Sequence, residues 1–417
     1  MKRLIFCLIP AFFALSSNAQ TDTVSMTPGY AEQVFFSTVT GLEQSAQMMD
    51  WDIAFATHAQ EVGIRINDVN GVALYKVPNL TTAGWAQVDT AGISNWDSPT
   101  NSIEDWMTGA FNRNSLGPFD YGWGVYNPGT HEVNGDSLYV IELTPTTGPS
   151  TFKKLWIEKK SVTNQYIFRH ANLDGTNETI VTITASNYSS QNFVYHSIRN
   201  GVTLSREPAT TDWNITFTRY LQSIPGFGFY PVTGVFSNVG VEVAEARNID
   251  VNTVQYSTYD TSYTAIISEI GDDWKSFNGV SFDVEDSLVY FVKSQDDGIS
   301  KLRFIGFEGS TTGNIILEAT VLTTSITEIE NSTLQSLALY PTVSSDQVHL
   351  VFSLNQPSEL LLSILSIDGR VVDQQHINSP QGLNNILLDV SSYSSGYYVM
   401  SLTSATDQLN SKFIISR

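Results

Sequence analysis

Apolar and polar positions alternate along much of the chain, and one alternating segment occurs twice. Trp51, Ile53 and Phe55 stand at i, i+2 and i+4 in Asp50-Trp51-Asp52-Ile53-Ala54-Phe55. Trp213, Ile215 and Phe217 do the same in Asp212-Trp213-Asn214-Ile215-Thr216-Phe217. Successive side chains of a strand point to opposite faces, so each segment predicts a strand with one apolar face. Further matches follow in the same order: Trp123, Tyr126-Asn127 and Asp136-Ser137-Leu138 against Trp274, Phe277-Asn278 and Asp286-Ser287-Leu288. Lys154-Leu155-Trp156 and Lys301-Leu302-Arg303 then open a further strand of each copy. The pattern predicts a tandem duplication, with copies over about 32–187 and 190–322, and with Trp51 and Trp213 as matching core pegs. Each copy has an apolar lead-in, Gln33-Val34-Phe35-Phe36-Ser37 and Asn192-Phe193-Val194-Tyr195-His196. Turn signals such as Pro78-Asn79, Asn127-Pro128-Gly129, Pro225-Gly226 and Asp296-Asp297-Gly298 separate the strands. That spacing fits an all-β, antiparallel architecture.

Composition agrees. The 417 residues are 41% hydrophobic and only 15% charged, and no long stretch has helical apolar periodicity. A net charge of −21 excludes phosphate-neutralising nucleic-acid binding and electrostatic docking on anionic membranes. Asp68-Val69-Asn70-Gly71 and Asp174-Gly175-Thr176-Asn177 offer oxygen ligands, but neither reaches a full calcium loop, so both are expected to be turns.

The two ends carry addresses. Lys2-Arg3, the apolar run Leu4 to Leu15 and Ser17-Asn18-Ala19 form a signal peptide over 1–19, with the mature chain expected to start at Gln20. The single cysteine, Cys7, lies within it, leaving no disulfide, thiolate metal site or cysteine nucleophile afterwards. No later segment is apolar enough to form a membrane helix. At the other end, short apolar runs such as 348–352, 360–365, 397–402 and 412–415, with Asp368-Gly369 as a hairpin signal, predict a small β-sandwich over 337–417. Leu339-Tyr340-Pro341, Ile367-Asp368-Gly369-Arg370-Val371-Val372, Leu388-Asp389-Val390, Ser395-Gly396-Tyr397-Tyr398 and Lys412-Phe413-Ile414-Ile415 resemble the type A C-terminal sorting domain of the type IX (Por) secretion system of Bacteroidetes. Thr342-Val343 departs from the Asn-Pro usual in that family. The resemblance implies recognition by the outer-membrane type IX machinery and delivery to the cell surface or the extracellular space. A Thr- and Ser-rich linker over 323–336 precedes the tail.

The region 20–322 resembles the HmuY family of secreted haem-binding proteins. The residues concerned are Asp212 to Tyr220, Tyr230-Pro231-Val232-Thr233-Gly234-Val235, Asn238-Val239-Gly240-Val241, Lys301-Leu302-Arg303-Phe304, Gly306-Phe307 and Thr312-Gly313-Asn314. The resemblance implies capture of haem or another planar apolar ligand. Haem iron needs donors such as His, Met or Tyr. His58 falls seven residues after Trp51 and Tyr220 seven after Trp213, so the duplication makes them the candidate axial pair. The competing reading is two strand-end polar residues with satisfied hydrogen bonds. His131 is expected in a loop, His170 as an exposed or hydrogen-bonded strand residue and His196 in half-buried core. Phe227-Gly228-Phe229-Tyr230 could line a sugar or porphyrin face, although core and turn packing is the expectation. No Gly-x-Ser-x-Gly, His-Glu-x-x-His or phosphate-binding loop occurs, and the adjacent pairs Asp272-Asp273 and Asp296-Asp297 are not disposed as a glycosidase pair. The sequence therefore reads as an exported binding protein and not an enzyme. The alternative is a structural or adhesive surface protein without a small-molecule site.

Overall fold

The computed structural model describes residues 20–323, 333–366, 370–404 and 408–417. The signal peptide, most of the linker and the Asp368-Gly369 turn lie outside the described residues. The chain forms two compact units, Met1–Ser325 and Ile326–Arg417. Both are built from β-sheets that are antiparallel in all but one pairing, as the alternating pattern requires.

The first unit holds two β-sandwich lobes. In the first, a four-stranded sheet runs in the order Val202–Leu204, Phe193–Ser197, Ile53–Ala56, Ile64–Ile66. It packs on a sheet containing Val72–Lys76, Tyr139–Leu143, Thr151–Lys160, Gln165–Asn172 and Thr179–Thr184, with the hairpin Gly124–Asn127/Glu132–Gly135 beside them. In the second lobe the four-stranded sheet is Gly228–Ser237, Ile215–Ile224, Glu32–Phe36, Glu43–Gln47. Its partner sheet is Gln20–Ser25, Asn314–Thr323, Ile299–Phe307, Leu288–Lys293, Glu242–Arg247.

The lobes do not coincide with the two sequence copies, because the copies exchange their lead-ins. Ile53–Ala56 of the first copy pairs with Phe193–Ser197 of the second, while Ile215 to Phe217 pair with Val34 to Phe36 of the first. The first core is thus continuous in sequence, from Ile53 to Ile198. The second joins Val24, Met26, Val34 and Phe36 to residues between Ile215 and Leu317. The folded units are 53–204 and 215–323 closed by 20–47, instead of the sequence copies 32–187 and 190–322.

Each exchange is fastened alike. Asp52 Oδ2 accepts from the Arg199 amide at 2.9 Å, and Asn214 Oδ1 accepts from the Thr38 amide at 2.9 Å. Each therefore ties down the turn that ends the incoming lead-in strand. Both turns end at a left-handed glycine, Gly41 at φ 69° and Gly201 at φ 66°, a conformation that side chains with a Cβ avoid.

The two four-stranded sheets meet back to back. Trp106, from a loop of the first lobe, lies against Phe193 and Phe236, and its indole N–H donates to the Ser237 carbonyl of the second lobe at 2.8 Å. Around it is a narrow cavity of about 60 Å³ lined by Trp51, Arg65, Tyr195 and Tyr220.

The second unit is a small sandwich. Leu334–Tyr340, Gln347–Leu354 and Gly382–Asp389 face a five-stranded sheet formed by Val343–Ser344, Gln408–Ile415, Gly396–Thr403, Ser358–Ser366 and Val371–Ser379. Inward residues such as Leu350, Phe352, Leu362, Met400 and Phe413 fill its core. The apolar runs read from the sequence become four of these strands.

Candidate functional site

Two hairpins of the second lobe project and expose apolar side chains. The strands Ile215–Ile224 and Gly228–Ser237 are ten residues each and meet at Pro225-Gly226. Their tip leaves Phe227 87% exposed, with Phe229 and Tyr230 exposed beside it. The second hairpin, Lys275–Phe277/Phe282–Val284, rises from Trp274, which is fully buried and stacked on Phe304 at 4.1 Å. Asn278 closes its turn: the side-chain oxygen accepts from the amides of Val280 and Ser281, both at 2.9 Å. That fixed turn presents Phe277 and Val280 to solvent.

Between the hairpins runs an open groove of about 580 Å³, lined by Tyr30, Tyr230, Phe277, Phe282 and Phe307, with Arg219, Lys275 and the carboxylate of Asp272 among them. Tyr30 and Phe307 lie with parallel planes, 6.2 Å apart. The Lys275 ammonium sits 4.4 Å from the Trp274 ring centroid and 5.0 Å from that of Phe307. It donates to the carbonyls of Thr233 at 2.7 Å and Asp272 at 3.3 Å, leaving one of its three donors over. Burial pushes its pKa down to about 8, although Asp272 and Asp273 pull the other way. Arg219 is half-buried, and its guanidinium has no hydrogen bond or ion pair among the described residues. Its charge reaches Tyr30, whose pKa burial raises while Thr233 and Arg219 lower it. The groove therefore combines flat apolar walls with two cations and one carboxylate, Asp272, which already accepts from the Tyr220 hydroxyl.

The residues singled out by spacing are not brought together in one cavity. Tyr220 is buried in the contact between the lobes, stacked on Phe236 at 4.4 Å, and its hydroxyl donates to Asp272 Oδ1 at 3.2 Å. Burial and Asp272 push its pKa up, which disfavours the phenolate that iron binds best. His58 is exposed in the turn after Ile53–Ala56, its carbonyl accepting from Lys160 Nζ. The strand lengths explain the divergence: Ile53–Ala56 stops after four residues, whereas Ile215–Ile224 carries Tyr220 mid-strand.

Other candidates also find places. His131 lies in a turn, its Nδ1 2.7 Å from the Tyr126 hydroxyl. His170 and His196 are buried, and desolvation pushes both pKa values down to about 4. Asp174 Oδ1 accepts from the Thr176 amide and hydroxyl, an ordinary turn, while Asp68 is held by Asn101. No cluster of three or more metal-ligating side chains occurs among the described residues. The aromatic run 227–230, expected to pack, is exposed. Phe277, Phe282 and Arg219 were not legible as site residues, although Asn278-Gly279 flanked by apolar positions is a hairpin signal.

Comparison with known proteins assigns the tail. No curated protein matches the chain. Among solved structures, Escherichia coli alpha-2-macroglobulin activated by porcine elastase aligns at 10% identity and a TM-score of 0.19, over 96% of this chain and 44% of that one. The chain thus spans less than half the length of that protein, and so low a score carries no inference. Residues 338–416 match the secretion system C-terminal sorting domain. This type IX sorting domain directs the protein to export, and to the cell surface or the extracellular space.

Proposed function

We propose that the exported chain is a capture protein that holds a flat, apolar, anionic ligand in the groove of its second lobe. The observation that carries this reading is Arg219, a guanidinium with no hydrogen bond or ion pair among the described residues, beside the stacked rings of Tyr30 and Phe307. The half-buried guanidinium is open to the groove, and a ligand carboxylate would give it a charge-assisted, bidentate partner while the ligand's flat face covered the rings. Haem, which the HmuY resemblance suggests, has both features. The groove suits it better than the pair His58 and Tyr220, and Tyr30 and Tyr230 are the phenols that could approach its iron. Titrating the chain with haemin and, separately, with iron-free protoporphyrin IX tests the reading. Saturable binding of both, weakened by Arg219→Ala, supports it. Absence of binding by either at micromolar concentration overturns it.

The second reading is adhesion, favoured by Phe227 and by Val280, which is 90% exposed at the other hairpin tip. Alanine at both tips would abolish adhesion and leave porphyrin binding in place.

A further inference from the structure

The groove of the second lobe has a counterpart in the first, generated by the same repeat. Trp123 answers Trp274, and the hairpin Gly124–Asn127/Glu132–Gly135 answers Lys275–Phe277/Phe282–Val284. The short turn Ala185–Tyr188 answers Pro28–Tyr30, so that Tyr188 corresponds to Tyr30. The counterpart cavity encloses about 320 Å³ and includes Gln60, Tyr121, Tyr126, His131 and Ser161 in its lining. That volume lies at the lower end of the roughly 300–1,000 Å³ of small-molecule sites.

Its chemistry differs from that of the groove. At the position of Phe307 the first lobe has Lys160, whose ammonium donates to the carbonyls of His58, Ala59 and Glu61. All three of its donors are thereby spent inside the protein. No carboxylate side chain lines the cavity. What remains are two phenols, an amide, an imidazole and a hydroxyl, set beside aromatic faces.

A second observation marks the place. Tyr126 is flanked by Phe119, stacked at 5.7 Å, and by His131, whose ring is 6.2 Å away. Phe119 has φ of 72°, a region costly for a bulky aromatic residue, whereas His131, at 57°, is of a type that enters it more readily. The Phe119 side chain is exposed, so the hydrophobic core does not require its strain.

We propose that this cavity is a second binding site, taking a neutral saccharide. A sugar ring has a C–H face that packs on Tyr121 or Tyr126, and a hydroxyl edge that the Gln60 amide and the His131 ring can bond. The absence of a free charge in the lining selects a neutral ligand here, in contrast to the anionic ligand proposed for the groove.

Titration of the full chain, followed by calorimetry, with maltohexaose, cellohexaose, mannohexaose and chitohexaose tests this. At least one should saturate, and Gln60→Ala and Tyr126→Ala should each weaken it at least about tenfold. Gln60 is exposed in a turn, so its substitution leaves the fold in place. Arg219→Ala should leave sugar binding unchanged, which separates this site from the groove. No saturation by any of the four at roughly 10 mM, or sugar binding indifferent to Gln60→Ala, overturns the proposal.

Discussion

Trp51 stands edge-on to Tyr195, with ring centroids 5.1 Å apart and planes at 79°. The second lobe repeats the contact: Trp213 meets Phe35 at 5.0 Å and 69°. In each pair the tryptophan precedes a strand of one copy, and its partner lies on the lead-in of the other. The repeated Asp-Trp motif is therefore a fastening for exchanged strands. Trp213 is buried, whereas Trp51 is half-buried at the cavity between the lobes. Trp213→Ala should cost about 3–5 kcal/mol and Trp51→Ala clearly less, as measured by chemical denaturation.

Strand exchange makes the lobes unequal in their dependence on the N-terminal segment. The first core lies entirely within 53–198, but the second needs Val24, Met26, Val34 and Phe36. Deleting 20–47 should expose the second lobe to limited proteolysis while a fragment near 53–204 resists. Equal digestion of both would contradict the pairing described here.

Asp52 and Asn214 do the same work with different charge. Asp52 is fully buried and forms an ion pair with Arg199 at 2.7 Å, while neutral Asn214 tethers Thr38. Asp52→Asn keeps an acceptor for the Arg199 amide, and should cost about 1–2 kcal/mol. Removing the ion-pair partner with Arg199→Ala strands a buried carboxylate and should cost about 3 kcal/mol. Thermal or urea unfolding of the two variants would show the order.

The buried histidines predict acid sensitivity. His170 and His196 both pack on Phe168, and burial lowers their pKa values from 6.5 to about 4, with Lys153 and the other histidine adding to the shift. A depressed histidine pKa means that the unfolded chain binds the proton first. Their contribution is thus complete above pH 6.5 and lost as pH falls towards 4. Glu207, raised to about 7 by burial, works in the opposite direction, losing stability as pH rises from 4.5 to 7. The comparison of variants isolates the histidines. In the second lobe the matching positions are Phe36 and Ala319, so a His196→Phe, His170→Ala double variant should unfold with less acid dependence than the parent.

Some of this was legible in the sequence, and the reasons differ by element. Alternation at Trp51, Ile53 and Phe55 is local, so it identified strands, and the tail carries its own compact motif. The exchange of Glu32–Phe36 for Phe193–Ser197 leaves no local trace, because it depends on pairing between segments far apart in sequence. Equal spacing placed His58 opposite Tyr220, but the strands carrying them have different lengths. Phe229 and Tyr230 looked like packing residues because sequence alone does not show that their hairpin extends past the sheet it belongs to.

Lys275 makes the groove's anion preference dependent on pH. Its ammonium keeps one donor free of the Thr233 and Asp272 carbonyls, and burial holds its pKa at about 8. Below that value it adds a positive charge beside Arg219; above it the amine is neutral and only the guanidinium remains. Porphyrin affinity should therefore be flat from about pH 6 to 7.5 and fall as pH rises through 8, by roughly tenfold for a loss of about 1.4 kcal/mol. Lys275→Arg should remove the fall, since a guanidinium stays charged throughout that range. Lys275→Met should bind weakly at every pH, with no inflection near 8. Iron-free protoporphyrin is the probe of choice, because its binding does not report the ionisation of an iron-bound phenol. A curve for Lys275→Met that still bends near 8 would mean that another group governs the dependence.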